Sequence, residues 1–170
     1  MVNEMIGEYT INLDYYLESL KILSKIRNRL FYTHSFIEVG AEFGSTLLAI
    51  IPLNMFDRYI LYEVDNKYTK SQEVLNKLDN VEYRLYSPPE DELLAYNGTL
   101  WMDCEGCEYK YDIYKLIDHY KQSIIAFHVF SEDHAKKLYK LQDRLSECTL
   151  VYITEDAKEF TFYCTGKEVD

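Results

Sequence analysis

Three carboxylates crowd into the six residues Asp103-Cys104-Glu105-Gly106-Cys107-Glu108, where an apolar run, Thr99–Asp103, gives way to a helical pattern. Carboxylates at such a junction can take a proton from a hydroxyl, orient an amine or hold a divalent cation. Asp103 and Glu105 read as functional. Glu108 reads as a charge that favours the positive end of the helix that follows. Cys104-x-x-Cys107 also has the form of a redox pair or half a zinc site. No second pair follows at metal spacing, and Cys148 and Cys164 fall on distant elements, so neither role is expected and no metal is assigned. His128, near the end of another apolar run, can serve as a base or ligand, or sit buried and merely hydrogen-bonded. His34, His119 and His134 read as surface positions.

A second group lies earlier in the chain. Phe36-Ile37-Glu38-Val39 is β-prone, and Gly40 and Gly44 then break the run. Ser45 or Thr46 can cap the helix that continues through Ile51. A strand entering a helix through such a turn directs backbone amides and a positive helix end at one spot, and glycine lets a ligand approach closely. Glu63 ends the next strand, 25 positions after Glu38. An acidic residue about 20 positions beyond a glycine turn commonly bonds the ribose hydroxyls of an adenosine cofactor. A solvated strand end is the plain alternative, since Asp57 and Asp65 flank the same run. There is no G-x-S-x-G, no G-x-x-x-x-G-K-[ST] and no G-x-G-x-x-G, so hydrolase, P-loop and standard dinucleotide readings lose ground.

The elements that must position these residues alternate. Apolar residues from Leu13 to Leu30 recur mostly at steps of three or four, which predicts one amphipathic helix capped by Asn12 or Asp14. Strands are expected at Phe36–Val39, Tyr59–Val64, Val81–Tyr86, Thr99–Asp103, Ser123–Phe130, Thr149–Thr154 and Glu159–Tyr163. Helical patterns fall at Ser45–Ile51, Tyr68–Leu78, Glu92–Tyr96, Tyr109–Tyr120 and Ser131–Ser146. The alternation predicts an α/β fold: a three-layer, doubly wound, Rossmann-like and mostly parallel seven-stranded sheet. The closing pair of strands lacks a helix between its members, so an antiparallel strand is expected at the C-terminal end. One domain over residues 1–170 is expected, with an N-terminal helical cap at 1–33 and the αβ core at 34–170.

Taken together, these motifs resemble the class I S-adenosylmethionine-dependent methyltransferases, and within them the FkbM-like family. Glu38-Val39-Gly40-Ala41-Glu42-Phe43-Gly44 is similar to that family's acidic-x-Gly-Ala-Asn-x-Gly turn. Tyr62-Glu63-Val64-Asp65 looks like its Glu-Pro pair, and Asp103-Cys104-Glu105-Gly106-Cys107-Glu108 looks like its Asp-x-Glu-Gly-x-Glu signature. Phe127-His128 falls where family members often end a strand with an acidic residue and a histidine. The resemblance runs from about Phe36 to Phe130. It implies that Glu38, Gly40, Ala41 and Gly44 line the methionine portion of S-adenosylmethionine. It implies Glu63 and its neighbour Val64 at the ribose, Tyr86 and Ser87 near the adenine, and Asp103 at the reactive end. It implies methyl transfer to a hydroxyl of a small molecule or sugar, with Asp103, Glu105 or His128 as the base. Glu42 stands where the family has Asn, and Val64 where it has Pro. A non-catalytic Rossmann-like binding or scaffold domain is the alternative, because the Glu42 carboxylate would repel that of the cofactor.

Composition bounds the partners. The 170 residues carry 18 basic and 29 acidic side chains, for a net charge of -11. That balance argues against nucleic acid and anionic membrane as partners, since phosphate binding needs clustered Lys and Arg. No apolar run approaches the roughly 18 residues of a membrane span. The first residues lack a basic segment followed by a long apolar one, which, with four cysteines, predicts a cytoplasmic chain with free thiols. Homo-oligomerisation is left open.

Overall fold

The computed structural model describes residues 3–6 and 9–167. Its chain divides into two compact units, Met1–Ser87 and Pro88–Asp170.

In the first unit a hairpin, β1 (Asn3–Ile6) and β2 (Tyr9–Asn12), precedes helix α1 (Leu13–Ile26). The helical cap expected over residues 1–33 therefore opens on a hairpin rather than a helix; each arm is only four residues long, too short to show a period. Asn12 caps α1 as expected, its side chain accepting from the Tyr15 amide at 3.2 Å. Ile22, Leu23 and Ile26 form the helix's buried stripe. Strands β3 (Thr33–Val39), β4 (Phe56–Tyr62) and β5 (Val81–Arg84) pair in parallel, with Val39 level with Tyr62 and Tyr62 level with Arg84. Their carboxyl ends therefore coincide. Helices α2 (Ser45–Ile50) and α3 (Thr69–Leu75) follow β3 and β4. Pro52 sits inside the short 3₁₀ turn Ile51–Leu53 that ends α2.

In the second unit α4 (Glu90–Leu93) leads into β6 (Thr99–Met102), a 3₁₀ turn at Cys107–Lys110, α5 (Ile113–His119) and β7 (Gln122–His128). The single helix expected over Tyr109–Tyr120 is thus two pieces. Asp112 interrupts it and caps α5 by accepting from the Lys115 amide. Helices α6 (Glu132–Lys140) and α7 (Gln142–Leu145) precede β8 (Thr149–Ile153) and β9 (Glu159–Thr165). β6 and β7 run parallel, and β9 is antiparallel to both β7 and β8. Every residue of β7 is buried, as a strand covered on both faces requires.

The fold is α/β and Rossmann-like: a mostly parallel seven-stranded sheet of order β5-β4-β3-β6-β7-β9-β8, with the antiparallel strand at its C-terminal end. The last strand enters between β7 and β8, leaving β8 at the edge. That insertion corrects the expectation of free thiols. Thr149 pairs with Tyr163, which brings Cys148 level with Cys164. Their Cα atoms lie 4.6 Å apart and the two are disulfide-bonded, as are Cys104 and Cys107 at 5.3 Å. Among the described residues no cysteine is free. Among the described residues no helix is long and apolar enough to cross a membrane.

Candidate functional site

Each unit carries a cluster of charged side chains at the carboxyl ends of its parallel strands. In the first, the turn after β3 is held by backbone bonds. The Gly40 and Ala41 amides donate to the Tyr62 carbonyl at 2.9 and 3.0 Å, and the Gly44 amide donates to Ala41 at 2.8 Å. Gly40 and Gly44 take φ of 93° and 80°, and Glu42 between them takes 48°. Glu63, 8% exposed, reaches this turn from the end of β4. Its Oε1 accepts from the Glu42 amide and its Oε2 from the Asp65 amide, both at 3.0 Å. Each oxygen keeps a second lone pair for another donor.

Around that carboxylate the Tyr83 hydroxyl donates to the Glu42 carbonyl at 2.5 Å. Burial, and then the charges of Glu42, Glu63 and Asp65, push the Tyr68 pKa far above the ordinary phenol value, so its hydroxyl remains a donor. Glu38 and Ala41 are buried, while Val64, Tyr86 and Ser87 are exposed. The Tyr86 ring meets the Tyr62 ring edge-on at 5.6 Å.

Two local expectations are corrected here. Neither Ser45 nor Thr46 caps α2; Gly44 occupies that position in the left-handed region. Ser45 Oγ instead accepts from the Asn12 amide, and Thr46 bonds Ser19, tying α2 to α1. The amides of residues 40, 41, 42 and 44 are also satisfied within the unit rather than aimed outward. A turn this buried must find partners for its own donors.

The second cluster is built on His128, the last residue of β7 and 3% exposed. Because β6 and β7 are parallel, Asp103, one residue past β6, stands beside it. Because β9 is antiparallel to β7, Glu159 at the start of β9 stands opposite. His128 Nε2 lies 3.2 Å from Asp103 Oδ1 and 3.8 Å from Glu159 Oε1. Nδ1 lies 3.1 Å from Glu108 Oε1, which also accepts the His128 amide at 2.7 Å. Glu108 Oε2 accepts the Gly106 amide at 2.9 Å. Burial pulls the His128 pKa down, but its hydrogen bonds to Asp103 and Glu108 outweigh that and carry it up to about 10. The ring is therefore an imidazolium at neutral pH. Tyr109 closes the cluster, donating to the His128 carbonyl at 2.7 Å and lying 4.9 Å from the His134 ring.

Of the residues singled out in the sequence, the fold thus brings Asp103 and His128 together, and separately joins Glu63 to the Gly40–Gly44 turn. Glu105 is exposed, at φ 54°, and does not belong to the group formed by Asp103, His128 and Glu159, whose nearest ligand atoms lie within 4.8 Å of one another. Two members were missed. Glu108 is wholly buried and turned inward by the 3₁₀ turn, so it is not a helix-end charge. The Asp-x-Glu-Gly-x-Glu spacing was the signal that could have marked it. Glu159 is identified only by the strand pairing.

No family model matches the chain. Uncharacterized protein 158B of Sulfolobus islandicus rod-shaped virus 1 is 29% identical over 133 residues, covering 73% of this chain and 77% of that protein. Among solved structures, the fold is similar to that of a dimethyladenosine transferase from Plasmodium falciparum (TM-score 0.64, 14% identity, 88% of this chain). The chain spans only 61% of that protein's length. It is also similar to a precorrin-6y C5,15-methyltransferase from Geobacter metallireducens (0.57, 13%, 96% of this chain and 94% of that one). A third likeness is to a Pyrococcus horikoshii protein described as an RNA methyltransferase (0.59, 11%, 92% and 84%). At these identities the likeness establishes the fold. The fold by itself neither requires nor excludes a nucleic-acid substrate.

Proposed function

We propose that the chain is an S-adenosylmethionine-dependent methyltransferase of FkbM-like type, acting on a hydroxyl oxygen of a small molecule or sugar. The observation that carries this reading is Glu63: a buried carboxylate bonded to the glycine turn through Glu42, with one lone pair left on each oxygen. That donor demand fits the two hydroxyls of a ribose. Glu63 would hold that diol, with Glu38, Gly40, Ala41 and Gly44 at the amino-acid portion and Tyr86 and Ser87 at the adenine. Bound S-adenosylmethionine supplies an electrophilic methyl group on a sulfonium.

The remaining task for the chain is to position the acceptor and take its proton. Asp103 is the base in this reading. Its side chain is 24% exposed, Oδ1 faces His128 and Oδ2 is left for the proton. His128, with a carboxylate at each ring nitrogen, is a positioning residue that orients Asp103. Glu105 is placed to meet solvent or acceptor at the loop.

One observation favours the alternative of a binding or scaffold domain: the turn's amides are already satisfied and Glu42 adds a negative charge beside them. Calorimetry with S-adenosylhomocysteine, and NAD as control, separates the two. Micromolar binding, roughly -8 kcal/mol, lost in Glu63→Gln while the variant keeps its near-ultraviolet circular dichroism, supports the enzyme. No heat with either ligand at millimolar concentration sinks it and leaves the scaffold reading.

A further inference from the structure

We propose that Asp103, His128 and Glu159 form a binding site for a divalent first-row transition cation, with Mn²⁺ and Zn²⁺ the best matches. This inference does not depend on the methyltransferase reading. Three elements converge on one point: the segment after β6 gives Asp103, the end of β7 gives His128, and the start of β9 gives Glu159. Their nearest ligand atoms lie within 4.8 Å of one another, with His128 Nε2 at 3.2 and 3.8 Å from the two carboxylates. Ligands about 2.1 Å from a tetrahedral ion stand about 3.4 Å apart, which falls between those two distances.

The ring's other nitrogen adds a separate observation. Nδ1 is bonded to Glu108, a side chain with no exposed surface whose Oε1 also takes the His128 amide and whose Oε2 takes the Gly106 amide. That carboxylate fixes the ring's rotation and aims Nε2 at Asp103 and Glu159. Metal-bound histidines are commonly held this way, by a carboxylate on the far nitrogen. Three buried or half-buried carboxylates also face a single imidazole here, which leaves negative charge in excess whatever proton the ring carries. A dication bound at Nε2 takes the place of the proton that the ring otherwise holds there, releasing it to solvent, and offsets that excess.

The donor set indicates the ion. Two carboxylate oxygens and one imidazole suit Mn²⁺ and Zn²⁺, whereas Mg²⁺ and Ca²⁺ favour oxygen throughout. Three protein ligands leave coordination positions open, as in reactive rather than structural sites. Asp103 and Glu159 side chains are 24% and 13% exposed, so those positions face a path to solvent.

The test is a titration of the chelator-treated full chain, without S-adenosylmethionine, by calorimetry and by loss of the free Mn²⁺ paramagnetic resonance signal. One Mn²⁺ per chain is expected, displaced by Zn²⁺, with Mg²⁺ at least tenfold weaker. Glu159→Gln and Asp103→Asn should each weaken Mn²⁺ at least tenfold, while His34→Ala, at the exposed pair with Asp57, should not. Should those variants not fold, wild-type NMR decides: stoichiometric Mn²⁺ must broaden the His128 ring signals and leave His34 and His119 sharp. No saturable Mn²⁺ or Zn²⁺ uptake below 1 mM on the order of typical weak binding, or broadening centred on His34, overturns the proposal. Failure here leaves the S-adenosylhomocysteine titration untouched, so the two readings fall separately.

Discussion

Glu63 and Glu108 are both buried glutamates beneath a loop that leaves a parallel strand, and they are used in opposite ways. Glu63 accepts one backbone amide on each oxygen and keeps capacity on both. Glu108 fills both lone pairs of Oε1 with the amide and the ring nitrogen of His128, and gives Oε2 to Gly106. The first carboxylate shapes a turn and stays available to a ligand. The second is spent on holding another side chain. A ligand-facing acid therefore shows itself by the acceptor capacity it retains, more than by burial, since both are buried.

The largest expected effect breaks this pair apart. Glu108→Ala strands two buried amides and removes the partner of a buried imidazolium, at about 3–5 kcal/mol. Glu63→Ala loses two amide bonds near the surface, at about 1–3 kcal/mol. Urea unfolding of both variants measures the gap. Equal losses would mean that Glu63 is as structural as Glu108, which would weaken the cofactor reading.

Next come the disulfides, which distinguish the units because all four cysteines lie in Pro88–Asp170. Cys148 and Cys164 are 16 positions apart, and replacing both by Ser should cost roughly 3 kcal/mol; the shorter Cys104–Cys107 ring should cost about 2 kcal/mol. Hydrogen exchange under reducing conditions should accelerate in the second unit and leave the amides of β3 and β4 unchanged. Acceleration in β3 would show that the units do not open independently.

How much of this was legible follows from the range of each interaction. The alternation of strands and helices, the glycine turn after β3 and Glu63 at the end of β4 are local patterns that the fold has where the sequence suggests, although Gly44 rather than Ser45 or Thr46 caps α2 and the turn's amides are satisfied internally. Glu108 was misread because the sequence continues as a helix through Tyr120, whereas α5 begins only at Ile113, after the Asp112 cap. Glu159 and the Cys148–Cys164 bond depend on β9 entering between β7 and β8, a pairing that no spacing within either strand encodes. His128 was legible as a residue at a strand end. Its charge was not, because that comes from the carboxylates that β6, the 3₁₀ turn and β9 bring to it.

Gly106 tests the support of the second cluster at a smaller scale. It takes φ 109°, and an added Cβ would lie 3.4 Å from His134 Cε1. Gly106→Ala should cost about 1–2 kcal/mol in backbone strain and loosen the amide that Glu108 accepts. Urea unfolding gives the cost. A neutral result would mean the loop has a second conformation that serves Glu108 equally well.

The smallest effect concerns a strain that both units share. Glu42 and Glu105 each sit in the left-handed region, at φ 48° and 54°. A side chain there costs about 1–2 kcal/mol relative to right-handed backbone, and glycine removes that cost while adding roughly 0.5–1 kcal/mol of unfolded-state entropy. Glu42→Gly should therefore stabilise by up to about 1 kcal/mol. Its amide bond to Glu63 and its carbonyl bond to Tyr83 involve backbone atoms and survive the change, whereas the bond between its side chain and the Tyr68 hydroxyl is lost and offsets part of the gain. Glu105→Gly should gain slightly more, because the Cys104–Cys107 disulfide restrains residue 105 in the unfolded chain as well. Shifts in the urea midpoint measure both, and repeating them in the Cys104→Ser/Cys107→Ser background should erase the difference. A stabilised Glu42→Gly protein that also binds S-adenosylhomocysteine more tightly would show that the Glu42 carboxylate opposes the cofactor. Unchanged affinity would show that this side chain stands clear of it.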